Sequence, residues 1–109
     1  MFKYDENIKN RLHGDYVDTA LTTDNEEEMF ELLKLKNPFV NRNLAKNKNS
    51  TLKVLTELVD NHVAYTMCVY LAKNKNIDDS IIEKLFKIGE GEYKDSQFTS
   101  DMNSILGKR

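Results

Sequence analysis

Four lysines occupy matching positions in two copies of one short sequence, and they are the clearest candidates for recognition chemistry. Residues 44–49 read Leu-Ala-Lys-Asn-Lys-Asn, and residues 71–76 repeat all six, 27 positions later. The lysines are Lys46, Lys48, Lys73 and Lys75. Because ammonium groups attract carboxylates and phosphates, such a row would suit an acidic protein surface or a phosphate chain. Lysine is also a good solvated turn residue, so the sequence leaves both interpretations open.

Two tyrosines, Tyr65 and Tyr70, precede the second lysine pair in an apolar segment. One helix cannot bury every face, so either ring is a candidate for exposure, and exposed tyrosine is favoured at protein interfaces. The alternative is that both rings pack in the core. No aromatic residue interleaves with the four lysines along the sequence, which argues against stacking of nucleic-acid bases between them.

The inventory for catalysis or metal binding is poor. Cys68 lies in an apolar segment, where a buried and inert thiol is expected, and His62 falls on a different helical face. Two histidines and one cysteine are too few for the usual zinc sites. No phosphate-binding loop or nucleophile elbow occurs, and no pair of carboxylates is singled out by position. We therefore expect no catalytic residues, no metal and no cofactor.

Composition indicates the setting in which the chain works. The charged residues nearly balance at a net −2, so there is no overall attraction to nucleic acid or to anionic membranes. No apolar run approaches the roughly 18–20 residues that span a bilayer, and the N-terminal residues do not resemble a signal peptide. A single cysteine cannot form an internal disulfide. We therefore expect a cytoplasmic protein without a membrane partner.

The repeated hexapeptide belongs to a longer repeated unit. A weaker copy begins at Leu21, and a degenerate fourth copy is predicted at residues 98–103. Leucines or isoleucines follow Leu21, Leu44 and Leu71 at offsets of 11 and 14 in all three copies: Leu32 and Leu35, Leu55 and Leu58, Ile82 and Leu85. Residues three apart share one face of a helix, so each unit is predicted to be helix, polar turn, helix. The predicted first helices are 16–22, 38–46 and 62–73, and the second helices are 26–36, 50–60 and 78–88.

Polar residues suited to helix ends stand at most of these boundaries. Helix starts are predicted at Asp24 or Asn25, at Ser50 or Thr51, and at Asp78, and Pro38 suits a first helical position. Residues 26–28 are three glutamates that would favour the positive end of a helix, or, less simply, a basic partner. Gly89 and Gly91 are predicted to end the last strong helix.

This pattern resembles the leucine-rich repeat variant family, a relative of HEAT repeats. The unit of that family reads Val-Arg-x-x-Val/Leu-Ala-x-Asn-Pro, followed by an apolar pair three apart and an acidic residue. Residues 40–47 match it and are followed by Leu55, Leu58 and Asp60, and residues 67–74 match more loosely. The arginine is replaced by Asn41 and Cys68, and the proline by Lys48 and Lys75. The resemblance implies a right-handed stack of helices that offers a binding surface.

We therefore predict an all-α fold: a short right-handed α-solenoid of about three to four two-helix, HEAT-like repeats with terminal capping helices. The single domain would consist of an N-terminal cap (1–15), three repeats (16–37, 38–61, 62–89) and a degenerate repeat or C-terminal cap (90–109). An end left uncovered would be an apolar patch through which a homodimer forms.

The predicted function is a non-catalytic protein-interaction module. A small adaptor, an inhibitor or an immunity-type protein would each fit, with a partner protein bound on the solenoid surface. The candidate partner-binding residues are Lys46, Lys48, Lys73, Lys75, Tyr65 and Tyr70. Nucleic-acid binding through a lysine ridge at the repeat turns is the alternative, and a carboxylate-based enzyme is the third hypothesis.

Overall fold

Short helices joined by polar turns form the whole of the chain that the computed structural model describes, which is residues 13–61, 64–94 and 96–107. The helices are α1 (His13–Thr22), α2 (Glu26–Leu33), α3 (Pro38–Lys46), α4 (Leu52–Asn61), α5 (Tyr65–Lys73), α6 (Asp79–Glu90) and α7 (Phe98–Leu106). No strand occurs within these ranges. The predicted all-α class is confirmed, and the six predicted helices match α1 to α6 to within three residues at each end.

Asparagine and aspartate side chains start three of the helices. The Asn25 side chain accepts from the Glu28 amide at 3.0 Å, and the Asp78 carboxylate accepts from the Ile81 amide at 3.0 Å. Asn37 accepts from two amides at the start of α3, where Pro38 takes the first turn and has no amide to satisfy. At the start of α4, Thr51 accepts from the Val54 amide at 3.4 Å.

The helices lie in two layers. In one layer α1 packs on α3, α3 on α5 and α5 on α7, and in the other α2 packs on α4 and α4 on α6. Ala20, Ala45 and Ala72 are fully buried in the first layer, where their small side chains let neighbouring helices approach closely. The described molecule measures 42 × 23 × 18 Å. Four helices side by side at the usual spacing of 8–10 Å extend about 40 Å, which matches the long dimension.

One continuous core lies between the layers. It is filled mainly by leucine, isoleucine, valine and methionine from α2 to α7, with Leu32, Leu44, Leu55, Leu58, Leu71, Ile81 and Leu85 completely enclosed, and α1 adds the buried Ala20. No helix of the described ranges is long and apolar enough to cross a bilayer.

The first unit is in a different register from the one that the sequence predicts. Leu21 is 39% exposed, whereas Leu44 and Leu71 are fully buried. Ala20 is buried at their level instead, and the Thr23 side chain accepts from the Asn25 amide as Asn47 accepts from the Asn49 amide. The α1–α2 turn has three residues and the α3–α4 turn has five. Because the α1–α2 turn is shorter, the offsets counted from Leu21 do not lead to positions equivalent to those reached from Leu44 and Leu71.

The predictions for the chain ends fare differently. Residues 98–103 lie entirely within α7, whereas residues 71–76 span a helix end and a turn, so the predicted fourth hexapeptide is wrong. Gly89 lies inside α6, and Gly91 alone follows its end. Helix α7 covers the α5–α6 end of the stack, where Phe98 and Met102 are fully buried. Most of the predicted N-terminal cap (1–15) lies outside the described residues.

Candidate partner-binding surface

Two buried asparagines fix the turns that follow α3 and α5. The Asn47 side-chain amide donates to the Ala20 carbonyl at 3.0 Å and to the Thr23 carbonyl at 2.8 Å, both at the end of α1. Its side-chain oxygen accepts from the Asn49 amide at 2.8 Å. Asn47 is 1% exposed. It therefore closes its own turn and attaches that turn to the preceding one.

Asn74 repeats this arrangement one unit later. Its side-chain amide donates to the Ala45 carbonyl at 2.9 Å and to the Asn47 carbonyl at 3.1 Å, while its oxygen accepts from the Asn76 amide at 2.8 Å. Asn76 adds bonds to the Lys48 and Ser50 carbonyls. Together these bonds hold the turns in line along one edge of the molecule.

All four predicted lysines are exposed along this edge. Lys46 and Lys73 end α3 and α5, and Lys48 and Lys75 follow in the turns. They line a shallow groove of about 400 Å³ together with Asn74 and Asn76. A lysine in the last turn of a helix also faces the negative end of the helix dipole. That explanation serves Lys46 and Lys73, but it does not extend to Lys48 and Lys75.

Tyr70 is partly buried against the core, and its ring lies against one lysine of each pair. The Lys46 ammonium group lies 4.8 Å from the centre of the Tyr70 ring, and the Lys73 ammonium group lies 5.7 Å from it. From the sequence we inferred that no aromatic residue interleaves with the lysines. This inference is wrong for the folded chain, because Tyr70 contacts Lys46 and Lys73. Tyr70 precedes Lys73 by one helical turn, and Lys46 reaches it from the neighbouring helix. We call Lys46, Lys48, Tyr70, Lys73 and Lys75 the lysine–tyrosine surface.

No carboxylate neutralises this surface within the described residues. The two ion pairs of the described residues, Lys34–Glu31 and Lys84–Asp60, lie on the other layer, which α2, α4 and α6 form. Aspartate and glutamate are absent from residues 32–56 and 61–77, which supply all five members of the surface. A patch of one sign with no internal counter-charge raises the local concentration of oppositely charged partners.

An exposed aromatic residue, Phe39, lies on the face of α3 that leads to Lys46. Phe39 is 50% exposed, and the Arg42 guanidinium group lies 5.1 Å from its ring centre. Residues 39, 42 and 46 are three and four apart, so they form one stripe along α3 that leads to Lys46. The sequence analysis did not single out Phe39 as an interface residue. The signal available in the sequence was its helical spacing from Arg42 and Lys46.

Tyr65 lies apart from the lysine–tyrosine surface. Its hydroxyl donates to the Asp101 carboxylate of α7, and its ring contacts Tyr93 and Phe98 edge-on at 5.2 Å. The hydrogen bond to Asp101, assisted by burial and by the negative charge, raises the pKa of Tyr65 to about 12. Tyr65 is half-buried and is engaged in holding α7 on the stack, so it is not brought together with the other predicted residues.

The chain matches no family model, no curated protein and no solved structure. The resemblance to leucine-rich repeat variants therefore depends on the residues quoted above.

Other candidate chemistry is sparse in the described residues. Cys68 is fully buried, and burial raises the pKa of its thiol to about 12, which suppresses the reactive thiolate. No three histidine, cysteine, aspartate or glutamate side chains converge as a metal site in the described part of the chain. A second depression, of about 570 Å³, is lined by Phe30, Leu33, Lys34, Lys36, Glu57 and Asn61. Its charges are mixed, and Glu57 already accepts from Asn61.

Proposed function

We propose that the chain is a non-catalytic protein-interaction module that docks a partner protein on the lysine–tyrosine surface. The observation that carries this proposal is a row of four exposed lysines along one groove, two of which place their ammonium groups against the Tyr70 ring, with no ion pair to a carboxylate among the described residues. Tyrosine with a cationic neighbour supplies both contact area and charge, and aromatic residues are enriched at the centre of interfaces. Adaptor, inhibitor and immunity-type roles all use such a surface.

The scaffold that we propose is a short right-handed α-solenoid of HEAT-like, leucine-rich-repeat-variant units. Support comes from the two layers of helices and from equivalent bonds of Asn47 and Asn74 to the preceding turns. A solenoid places equivalent turns side by side along one edge, so the lysines of successive turns form a row. Because α7 covers the last unit, it fits a C-terminal cap. A homodimer that formed through an uncovered end would then use the N-terminal end. The buried free thiol of Cys68 is compatible with a cytoplasmic protein.

Selection from a random peptide library tests the docking surface and does not require the natural partner to be identified first. We expect peptides that bind the immobilised chain to lose at least about tenfold in affinity, or 1.4 kcal/mol, when Lys46→Glu and Lys73→Glu are combined. The matched control is Lys87→Glu with Lys94→Glu, which changes net charge equally. Lys87 is exposed in the last turn of α6, about 12 Å along the helix from its first residue, and Lys94 is exposed in the turn after the helix ends. Equal binding to both double variants would place the interface elsewhere.

Nucleic-acid binding is the second candidate, and the position of Tyr70 among lysines favours it. Single-strand binders combine cationic grooves with aromatic rings on which bases stack. Affinity for a single-stranded oligonucleotide should then fall steeply with salt and should require both Tyr70 and the lysines. Retention of binding by Tyr70→Ala together with the lysine variant would exclude this mode.

A further inference from the structure

We propose that the occupant of the lysine–tyrosine surface is a short acidic peptide segment of a partner, with two to four carboxylates, that crosses the turns after α3 and α5. This inference deepens the proposed function and rests on it. The chemistry needed is an anion with several charges close together, because four ammonium groups share one small groove.

The first argument is the uncompensated charge. Lys46 and Lys73 both lie over the Tyr70 ring, so their ammonium nitrogens are separated by no more than the sum of the two ring distances, 4.8 and 5.7 Å. Neither ammonium group forms an ion pair within the described residues, so a ligand that places carboxylates beside them adds attractive contacts without breaking an existing one. In an extended peptide, alternate side chains lie about 6.8 Å apart on one face. Alternate glutamates or aspartates can therefore reach the two lysines together.

The second argument is the length of the basic stretch. Asp24 lies in the first turn, in the place that Lys48 takes in the next one, and the Asn47 amide joins these turns. Asp78 and Asp79 are exposed three and four residues after Lys75, at the start of α6. The basic stretch is therefore preceded by a carboxylate in the first turn and followed by two at the α6 end of its last turn. A stretch bounded in this way fits a segment a few residues long.

The same boundary favours a peptide over a nucleic acid. A polynucleotide carries a charge on every phosphate, so a strand that followed the edge would meet the carboxylate of Asp24 in the first turn. An acidic motif can end before that carboxylate, and a neutral or basic residue flanking the motif would meet the carboxylate favourably.

Fluorescence anisotropy with labelled hexaglutamate, hexaglutamine and an eight-residue oligothymidylate tests the proposal on the full chain at low salt. We expect hexaglutamate to bind, hexaglutamine not to bind, and the oligothymidylate to bind more weakly than hexaglutamate. The Lys46→Glu, Lys73→Glu variant should lose at least tenfold in hexaglutamate affinity, and the Lys87→Glu, Lys94→Glu control should stay within about twofold. Asp24→Asn, which removes a bounding carboxylate, should bind hexaglutamate about two- to threefold more tightly.

Other outcomes would overturn the acidic segment and leave the broader proposal distinguishable. Absence of hexaglutamate binding, with library peptides that still depend on Lys46 and Lys73, would reject the acidic partner and keep the docking surface. Tighter binding of the oligothymidylate would assign the surface to nucleic acid. If the first double variant does not fold, as judged by circular dichroism, Lys48→Gln with Lys75→Gln makes the same test in the turns and should weaken binding at least threefold. Unchanged affinity in that variant counts against the proposal.

Discussion

The side-chain amide of Asn74 donates to the main-chain carbonyl of Asn47, and Asn47 makes the equivalent bond to the turn before its own. Each asparagine is buried, and each joins two consecutive turns of the stack. Since the lysines of the candidate surface flank these asparagines, the alignment of the turns determines the spacing of the charges.

Asn74→Ala is expected to lower the free energy of unfolding by about 2–3 kcal/mol. The substitution removes the side-chain donor of the Ala45 carbonyl, one of the two donors of the Asn47 carbonyl and the acceptor of the Asn76 amide, and an unsatisfied buried polar group costs about 1–3 kcal/mol. Denaturant unfolding followed by circular dichroism gives this value. Asn103→Ala, at an exposed asparagine of α7, is the control and should change stability by less than about 0.5 kcal/mol. Equal effects of the two substitutions would contradict the role assigned to Asn74.

Gly89→Ala should destabilise the protein even though alanine is the better helix former. An added Cβ would lie 2.6 Å from the Thr99 hydroxyl and 2.9 Å from the Phe98 ring. Both side chains belong to α7, so they or the helix itself would have to shift. Overpacking costs about 1–3 kcal/mol and alanine gains about 1 kcal/mol over glycine, so we expect a net loss of up to about 2 kcal/mol. The control is Glu83→Ala on the exposed face of α6. A stabilised Gly89→Ala protein would show that α7 is not packed so closely.

Stability should fall in alkaline solution through Tyr65. Its pKa in the folded chain is about 12, above the ordinary value of 10, chiefly because it donates to Asp101. The folded chain thus holds this proton more tightly than the unfolded chain, so its contribution is complete below pH 10 and is lost as the pH rises from 10 through 12. In unfolding experiments from pH 9 to 12, Tyr65→Phe should show a shallower loss than the unsubstituted protein. Asp101→Asn should lower the pKa of Tyr65, and identical pH profiles for all three proteins would refute the linkage.

Cys68 should react with thiol reagents only after unfolding. Burial raises the pKa of its thiol from 9.0 to about 12, which reduces the thiolate fraction near pH 8 about a thousandfold. The rate of reaction with a disulfide reagent, compared in buffer and in concentrated denaturant, measures this difference. Rapid modification of the folded protein would contradict this prediction, because it would require the packing around α5 to open readily.

Much of the scaffold was predictable because its helices repeat a pattern of local signals. The spacing of 27 residues placed α3 and α5 in equivalent positions, and Asn25, Pro38 and Asp78 marked helix starts by their own hydrogen-bonding chemistry. Leu21 was wrongly matched to Leu44 and Leu71 because the turn after α1 is two residues shorter. Offsets counted from one leucine to the next do not reveal the length of a turn.

The candidate site was predictable only in part, because its members meet across helices. The lysines were found from the repeated hexapeptide alone. The contact of Lys46 with Tyr70 joins residues that are 24 positions apart, and it depends on the packing of α3 against α5. The bond from Tyr65 to Asp101 spans 36 positions, so nothing near Tyr65 in sequence indicated that α7 would engage its hydroxyl.

The central claim is that the lysine–tyrosine surface receives an anionic partner, and amide chemical shifts test it most directly. ¹⁵N-labelled protein titrated with hexaglutamate should show saturable shifts concentrated in residues 44–49 and 70–76, with α2, α4 and the second half of α6 unaffected. Saturable shifts centred on α2, α4 or the second half of α6, or no shifts at any peptide concentration, would contradict it.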